Sequence, residues 1–532
     1  MPRALQFAGD HPRWCALGLG ALSALGFEPL ALWPLTLLAV AGLMALLAQA
    51  PSRKAAAQLG WLFGLGQFCL GLNWIATAFT YQAAMPAWLG WIAVAGLSLY
   101  LSIYPALAAI AAWHVRRSPA AFVLALAGAW IVAEWLRGWV FTGFPWNPLG
   151  AILLGPFEYP GAARLLPWLG TYALSGLTVL FAGLWWRGLA GFRRDSRALA
   201  LLAVPLVIQF TPSQFIPTPA PTPALRDHPA APGAPFLLVQ PNIAQDVLNE
   251  PAMFEANFQR IAQLSSPVLP GRRQLVLWPE SGVPWYLADG YPDGYYLDTY
   301  AADPRLARER IGKVIGQNSL LLTGAVDLEI ARGRAIGARN AVTAIDGSGT
   351  IRGGYDKAHL VPYGEYLPMR RLLTPLGLAR LVPGDIDFWP GPGPRTLDLG
   401  KWGKAGIQIC YEIVFSGHVA DRSDRPDFIF NPSNDGWFGA WGPPQHLAQA
   451  RLRALEEGLP VLRATTTGIS AVIDADGRVV QSVPLGHAGI VAGTLPVAHA
   501  PTLFARWGNA LGLSWATVLL ALCIVASRRR SV

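Results

Sequence analysis

PSQFIPTPAPTPALRDHPAAPGAPFLLVQ, residues 212–240, divides the chain into two parts that cannot share a solvent. The Pro-, Ala- and Thr-rich stretch cannot propagate a helix and reads as an extended linker over 213–234. Before it, residues 1–212 carry 12 Lys+Arg and 5 Asp+Glu; after it, residues 213–532 carry 29 and 27. The whole chain of 532 residues is 53% AVILMFWYC and 14% charged, with a mean hydropathy of +0.35. Those values exclude an ordinary soluble globule and a disordered chain.

Working toward the N-terminus, apolar stretches near 14–27, 30–50, 56–79, 86–113, 119–142, 165–190 and 198–211 suit a membrane, and an eighth spans 503–527. The expectation is a polytopic α-helical membrane domain over 1–212 with about seven helices, plus a C-terminal transmembrane helix. Basic residues alternate between loops: Arg3 and Arg13, Arg53 and Lys54, Arg116 and Arg117, the group Arg187 to Arg197, and the terminal Arg528-Arg529-Arg530. By the positive-inside tendency these lie in the cytoplasm, which predicts that 213–503 faces the opposite, periplasmic side. The excess of basic residues is thus a topology signal in short loops, and no clustered basic face for nucleic acid is implied. Fourteen of the 22 Trp fall in residues 1–212, many near span ends, as an interfacial belt would place them.

Working toward the C-terminus, FLLVQ opens a series of short β-type runs (QLVLWPE, LLLTGAV, NAVTAID, AGIQIC, DFIFNPS) with helical stretches between them. This predicts an α/β domain, residues 235–498, whose strands are buried on both faces. Three polar residues stand where a strand gives way to a loop: Glu280 after LVLWP, Lys357 in GGYDKAHLVPYGEYLP, and Cys410 after AGIQI. Strand ends are where α/β sheets place their sites. A thiol attacks only as thiolate, so a nucleophilic cysteine needs a neighbouring base or cation. Taken singly, each residue is equally at home as core packing, a turn or a solvated side chain. Cys15, Cys69 and Cys523 lie in apolar segments, so no disulfide framework is expected.

The segments WPES, YDKAHLVPYGEYLP and CYE in this order, followed by NPSNDGWFG and QHLAQARLRALEEGLPVLRATTTGIS, resemble the carbon–nitrogen hydrolase (nitrilase) superfamily. With the apolar spans and TGFPWNPLG at 142–150, the whole chain resembles the bacterial apolipoprotein N-acyltransferase family. The resemblance implies an α-β-β-α sandwich in which Cys410 is the nucleophile, Glu280 the general base and Lys357 the stabiliser of the tetrahedral intermediate. Glu365, Tyr411 and Glu412 match positions that support such a site. It implies a phospholipid acyl donor, phosphatidylethanolamine, and an acceptor that is the α-amino group of a diacylglyceryl apolipoprotein. A home in the bacterial inner membrane is implied as well, with no cofactor and no metal.

Two segments, 285–300 and 369–384, could form an opening toward the bilayer; the second mixes Arg370, Arg371 and Arg380 with leucines and reads equally as a surface loop. Asn434 and Trp437 either shape the pocket wall or simply accompany the turn that Asn-Asp-Gly favours. His359 and His446 have no metal-ligand spacing. Two other readings stand beside the acyltransferase. One is a membrane-tethered amidase or nitrilase. The other is a transporter, for which Glu134 and Arg137 are the only intramembrane charges, able to pair with each other or to bind a headgroup.

Overall fold

A computed structural model describes residues 10–81, 86–192, 195, 197–212, 233–266, 274–376, 381 and 386–528. Most of the expected linker, Arg380 with the neighbouring part of 369–384, and Arg529 and Arg530 lie outside the described residues.

The N-terminal part is helical: α1 (Pro12–Ala24), α2 (Trp33–Gln49), α3 (Arg53–Gly71), α4 (Leu89–Leu101), α5 (Ile103–Trp113), α6 (Pro119–Arg137), α7 (Leu166–Gly191) and α8 (Arg197–Phe210). Its low charge leaves few groups to satisfy in the interior, Glu134, Arg137 and Arg164 among them. Proline sits in the first turn of α1, α2, α6 and α7, where its missing N–H costs nothing. The Ser52 hydroxyl accepts from the Ala55 N–H at 3.1 Å and caps α3. Helices α1 and α3 touch backbone to backbone, since a Cβ on Gly20 would stand 1.9 Å from the Phe63 carbonyl oxygen.

Among the described residues, four helices are long and apolar enough to cross a membrane: Leu89–Trp113, Pro119–Arg137, Gly161–Gly191 and Asn509–Arg528. A fifth span results if Arg53–Gly71 and Ile75–Tyr81, bent by 50°, count as one. The other apolar stretches end sooner: α2 has 17 residues, α8 has 14 and α1 has 13. A hydrocarbon core asks for about 20. Four of the expected apolar stretches, or five with the bent pair, are thus helices of full spanning length among the described residues, and α2 and α8 are shorter apolar helices.

The C-terminal part is a sandwich of two six-stranded sheets. One runs β12-β1-β2-β3-β4-β5, the other β11-β10-β9-β8-β7-β6. The strands of the first are β1 (Pro235–Gln240), β2 (Leu275–Leu277), β3 (Leu320–Ala331), β4 (Arg334–Asp346), β5 (Ile351–Asp356) and β12 (Gly489–Thr494). Those of the second are β6 (Thr396–Asp398), β7 (Lys404–Ile407), β8 (Phe428–Ser433), β9 (Val461–Thr465), β10 (Ser470–Ile473) and β11 (Val479–Val483). Each sheet has a parallel centre (β1-β2-β3 and β7-β8-β9) with antiparallel strands outside it.

The period of two assigns the faces. Phe236, Leu238, Leu275 and Leu277 point between the sheets, where they meet Ile407, Phe428 and Phe430. Leu237, Val239 and Val276 point outward against α9 (Phe254–Ser265) and α10 (Pro304–Ile315), through Phe258, Ile261 and Ile311. The outer face of the second sheet is covered by α11 (Gly442–Glu457). Leu447, Leu452 and Leu455 of α11 share one core with Ile429 and Val461 and with residues of the N-terminal part, including Leu149 and, on α7, Val179. The last helix, α12 (Asn509–Arg528), packs on α6 and α7.

Candidate active site

The parallel centre of each sheet aims its C-terminal strand ends at one place. Glu280 follows β2 by three residues, Cys410 follows β7 by three, and Lys357 follows β5 directly. All three are buried. Lys357 Nζ lies 3.5 Å from Glu280 Oε1 and 3.0 Å from Glu365 Oε1. Asn340, on β4, donates to the same two carboxylates at 2.7 and 2.8 Å. The Asn434 backbone N–H donates to Glu280 Oε2 at 2.8 Å.

Burial opposes a charge on Lys357, yet Glu365, Glu280 and Cys410 outweigh it, and its pKa is raised. The ammonium is therefore permanent and fixed, as a stabiliser of developing negative charge must be. Burial pushes the Cys410 thiol well up, Glu280 adds to this, and Lys357 and the Asn434 amide pull back. The resting group is a thiol, and Glu280 and Asp435 are the carboxylates whose charge it feels. Cys410 also adopts φ 50°, a left-handed backbone at a non-glycine residue. Such strain persists only where the surroundings impose it, and it clusters at functional sites.

Glu412 ties the two halves of the site together. Its Oε1 accepts from Tyr355 Oη at 2.9 Å, Ala358 N at 2.8 Å and His359 N at 3.1 Å, while its Oε2 accepts from Ile409 N at 2.8 Å. Burial raises its pKa to about 7 against these donors. Glu365 accepts from Val361 N at 2.8 Å in addition to Lys357, so it shapes the loop that carries the lysine.

Tyr411 turns away from this cluster. Its hydroxyl donates to the Gly143 carbonyl at 3.3 Å and its ring stacks on Trp146 at 6.4 Å, so it joins the cysteine turn to the membrane domain. Asn434 Oδ1 accepts from Gly436 N at 3.2 Å and makes the turn, while Nδ2 donates to Gln245 Oε1 at 2.7 Å. Trp437 is half-buried, 5.9 Å from the Tyr81 ring. Glu134 and Arg137 stand 3.9 Å apart and are buried. Arg137 donates to the Trp146 carbonyl at 2.8 Å and Glu134 accepts from Leu149 N at 2.8 Å, so together they hold the segment beneath Tyr411. Among the described residues, no three His, Cys, Asp or Glu side chains gather as metal ligands would.

Asn340 was not legible in the sequence, because its role depends on β4 running beside β5. His446 drew attention only as a possible metal ligand; its Nε2 lies 3.1 Å from the Cys410 carbonyl oxygen.

Residues 19–184 match the apolipoprotein N-acyltransferase N-terminal domain, and residues 238–501 match the carbon-nitrogen hydrolase family. An apolipoprotein N-acyltransferase of Bradyrhizobium diazoefficiens is 37% identical, over 97% of this chain and 94% of its own. One of Rhodopseudomonas palustris is 36% identical, over 97% and 95%. Both parts of the chain are matched in the same relatives, which disfavours a hydrolase that merely carries a tether. The buried Cys-Glu-Lys cluster, the helical domain beneath it and these full-length matches have one account: the chain belongs to the apolipoprotein N-acyltransferase family.

Proposed function

We propose that this protein moves a fatty acyl chain from a glycerophospholipid, phosphatidylethanolamine, to the α-amino group of the diacylglyceryl cysteine that begins an apolipoprotein. Glu280 takes the thiol proton of Cys410 as sulfur attacks the ester carbonyl. The oxyanion forms beside the Lys357 ammonium, and its collapse expels the lysophospholipid alkoxide, which recovers the proton from Glu280. The α-amine then attacks the thioester, Glu280 accepts its proton, and the departing thiolate of Cys410 is reprotonated. An α-amine has a pKa of about 7.7–8.0, so a carboxylate base suffices.

The observation that carries this reading is the contact of Lys357 with two carboxylates at the strand end facing Cys410, in a site whose cysteine turn rests on the membrane domain through Tyr411. A water-excluding, lipid-side approach favours transfer over hydrolysis. The alternating loop charges support a periplasmic catalytic domain on a bacterial inner membrane.

Intact mass of the detergent-purified protein, incubated with phosphatidylethanolamine and no acceptor, tests the proposal. Wild type is expected to gain a hydroxylamine-labile acyl adduct that Cys410→Ala lacks, and a diacylated lipopeptide is expected to discharge it. Absence of the adduct with intact lipid would sink the phospholipid donor. Glu280→Gln is expected to slow adduct formation by about 10²- to 10⁴-fold.

A further inference from the structure

Cys410 keeps its left-handed backbone with help from a buried polar network that the acyl-transfer steps do not use. His446, at the start of α11, has no solvent exposure. Its Nε2 lies 3.1 Å from the Cys410 carbonyl oxygen. A carbonyl can only accept, so Nε2 bears a proton whatever the charge of the ring. The other ring nitrogen, Nδ1, lies 2.9 Å from Asp435 Oδ1 and 3.0 Å from an Arg463 guanidinium nitrogen.

Arg463 is the centre of this network. It donates to both Asp435 oxygens at 2.8 and 2.7 Å, to Ser433 Oγ at 2.9 Å and to Asn431 Oδ1. Asn431 Nδ2 in turn donates to the Gln408 carbonyl at 2.6 Å and reaches the Cys410 carbonyl at 3.5 Å. Both donors on the Cys410 carbonyl are thus oriented by a single guanidinium.

The geometry of the peptide unit gives this a chemical meaning. In a trans peptide the C=O and the next N–H point in opposite directions. Fixing the Cys410 carbonyl toward His446 therefore fixes the Tyr411 N–H on the opposite side of the same plane. We propose that His446, steadied by Asp435 and Arg463, is a positioning residue that sets the Cys410–Tyr411 peptide plane and so aims the Tyr411 N–H at the acyl oxyanion. This rests on Cys410 being the nucleophile. A preorganised donor acts only if its direction is right when charge develops, and small misplacements of such groups cost up to about 10²-fold.

Two reactions of the same thiol separate this role from general damage. Acylation by phosphatidylethanolamine passes through an oxyanion; alkylation by iodoacetamide does not. His446→Ala is expected to lower the maximal rate of acyl-enzyme formation by about 10- to 10²-fold. The half-saturating phospholipid concentration and the pH profile of iodoacetamide alkylation are expected to stay within about twofold of wild type on this mechanism. His446→Gln, whose amide N–H can reach the place of Nε2, is expected to recover most of the loss, and His446→Asn, which is shorter, to recover less. Should the Ala variant fail to fold, the order Gln above Asn still decides. An unchanged acylation rate in His446→Ala, a parallel fall of acylation and alkylation, or Asn equal to or better than Gln would overturn the inference. Failure of the wild type to form a thioester at all would overturn the reading of Cys410 instead.

Discussion

The two helix layers of the sandwich cover corresponding sheets and have different surroundings. On the first sheet, α9 and α10 each bury one stripe, Phe258 and Ile261 in one and Ala307 and Ile311 in the other. Their outer sides carry exposed charge, as in the pair of Arg310 and Glu255, whose carboxylate side chain is 58% exposed. On the second sheet, α11 buries every residue but Pro444, although its sequence GPPQHLAQARLRALEE carries two arginines, two glutamates, two glutamines and a histidine. Beyond it lie α7 and the segment around 155–156 where the other layer has open surface. Arg451, Arg453 and Glu456 of α11 accordingly each meet polar groups. Arg451 donates to the carbonyls of Gly477, Gly155 and Pro156. Arg453 pairs with Glu456 at 3.0 Å, and Glu456 also accepts from Thr171 N and Ser416 Oγ. Charge on a helix is thus evidence of a polar partner, and water is only one such partner.

The contrast is easiest to break at Arg453. Truncation to Ala leaves Glu456 buried without its cation and is expected to cost about 3–5 kcal/mol. Thermal unfolding in detergent measures this, and a shift no larger than that of a surface substitution would mean that α11 is solvated after all. Replacing Arg453 and Glu456 together with leucine is expected to recover most of the loss, since both charges leave.

A smaller effect distinguishes the layers by pH. Burial raises the Glu457 pKa to about 7, with Glu456 adding and Arg425 opposing. The folded state then binds a proton more tightly than the unfolded chain, whose carboxyl titrates near 4.5. Stability from this group is present below pH about 4.5 and is lost as pH rises toward about 7. Glu457→Gln is expected to raise the unfolding midpoint at pH 8 and to leave it unchanged at pH 4.5; equal shifts at both values would contradict the assignment. The smallest change belongs to the open layer. Glu255→Ala, which removes the exposed partner of Arg310, is expected to cost about 1 kcal/mol in the same unfolding measurement.

Much of the fold and of the candidate site was legible because it is written locally. The run Phe236 to Gln240 is apolar at every position but the last, and a strand buried on both faces follows. Glu280, Lys357 and Cys410 each stand at a strand end, a position that spacing alone can indicate. Their convergence needed two sheets to meet, and only the family resemblance suggested it in advance. Tyr411 was expected to support the site, and its hydroxyl reaches the helical part at Gly143, 268 residues earlier in the chain, a contact that no local pattern shows. The burial of α11 was hidden for the same reason: its partners, Thr171 and Gly155, lie in the other part of the molecule. His446 looked like an isolated imidazole because Asp435, Arg463 and the Cys410 carbonyl are brought to it only by folding.

Clamped on both sides, α11 makes the sandwich and the helical bundle one mechanical unit. The thiol of Cys410 consequently keeps a constant height above the bundle. For the lipid-anchored substrates of the proposed reaction, delivery to that point is a search in a plane. Each must drift sideways through the bilayer until it arrives, and the frequency of arrival follows its number per unit area of membrane.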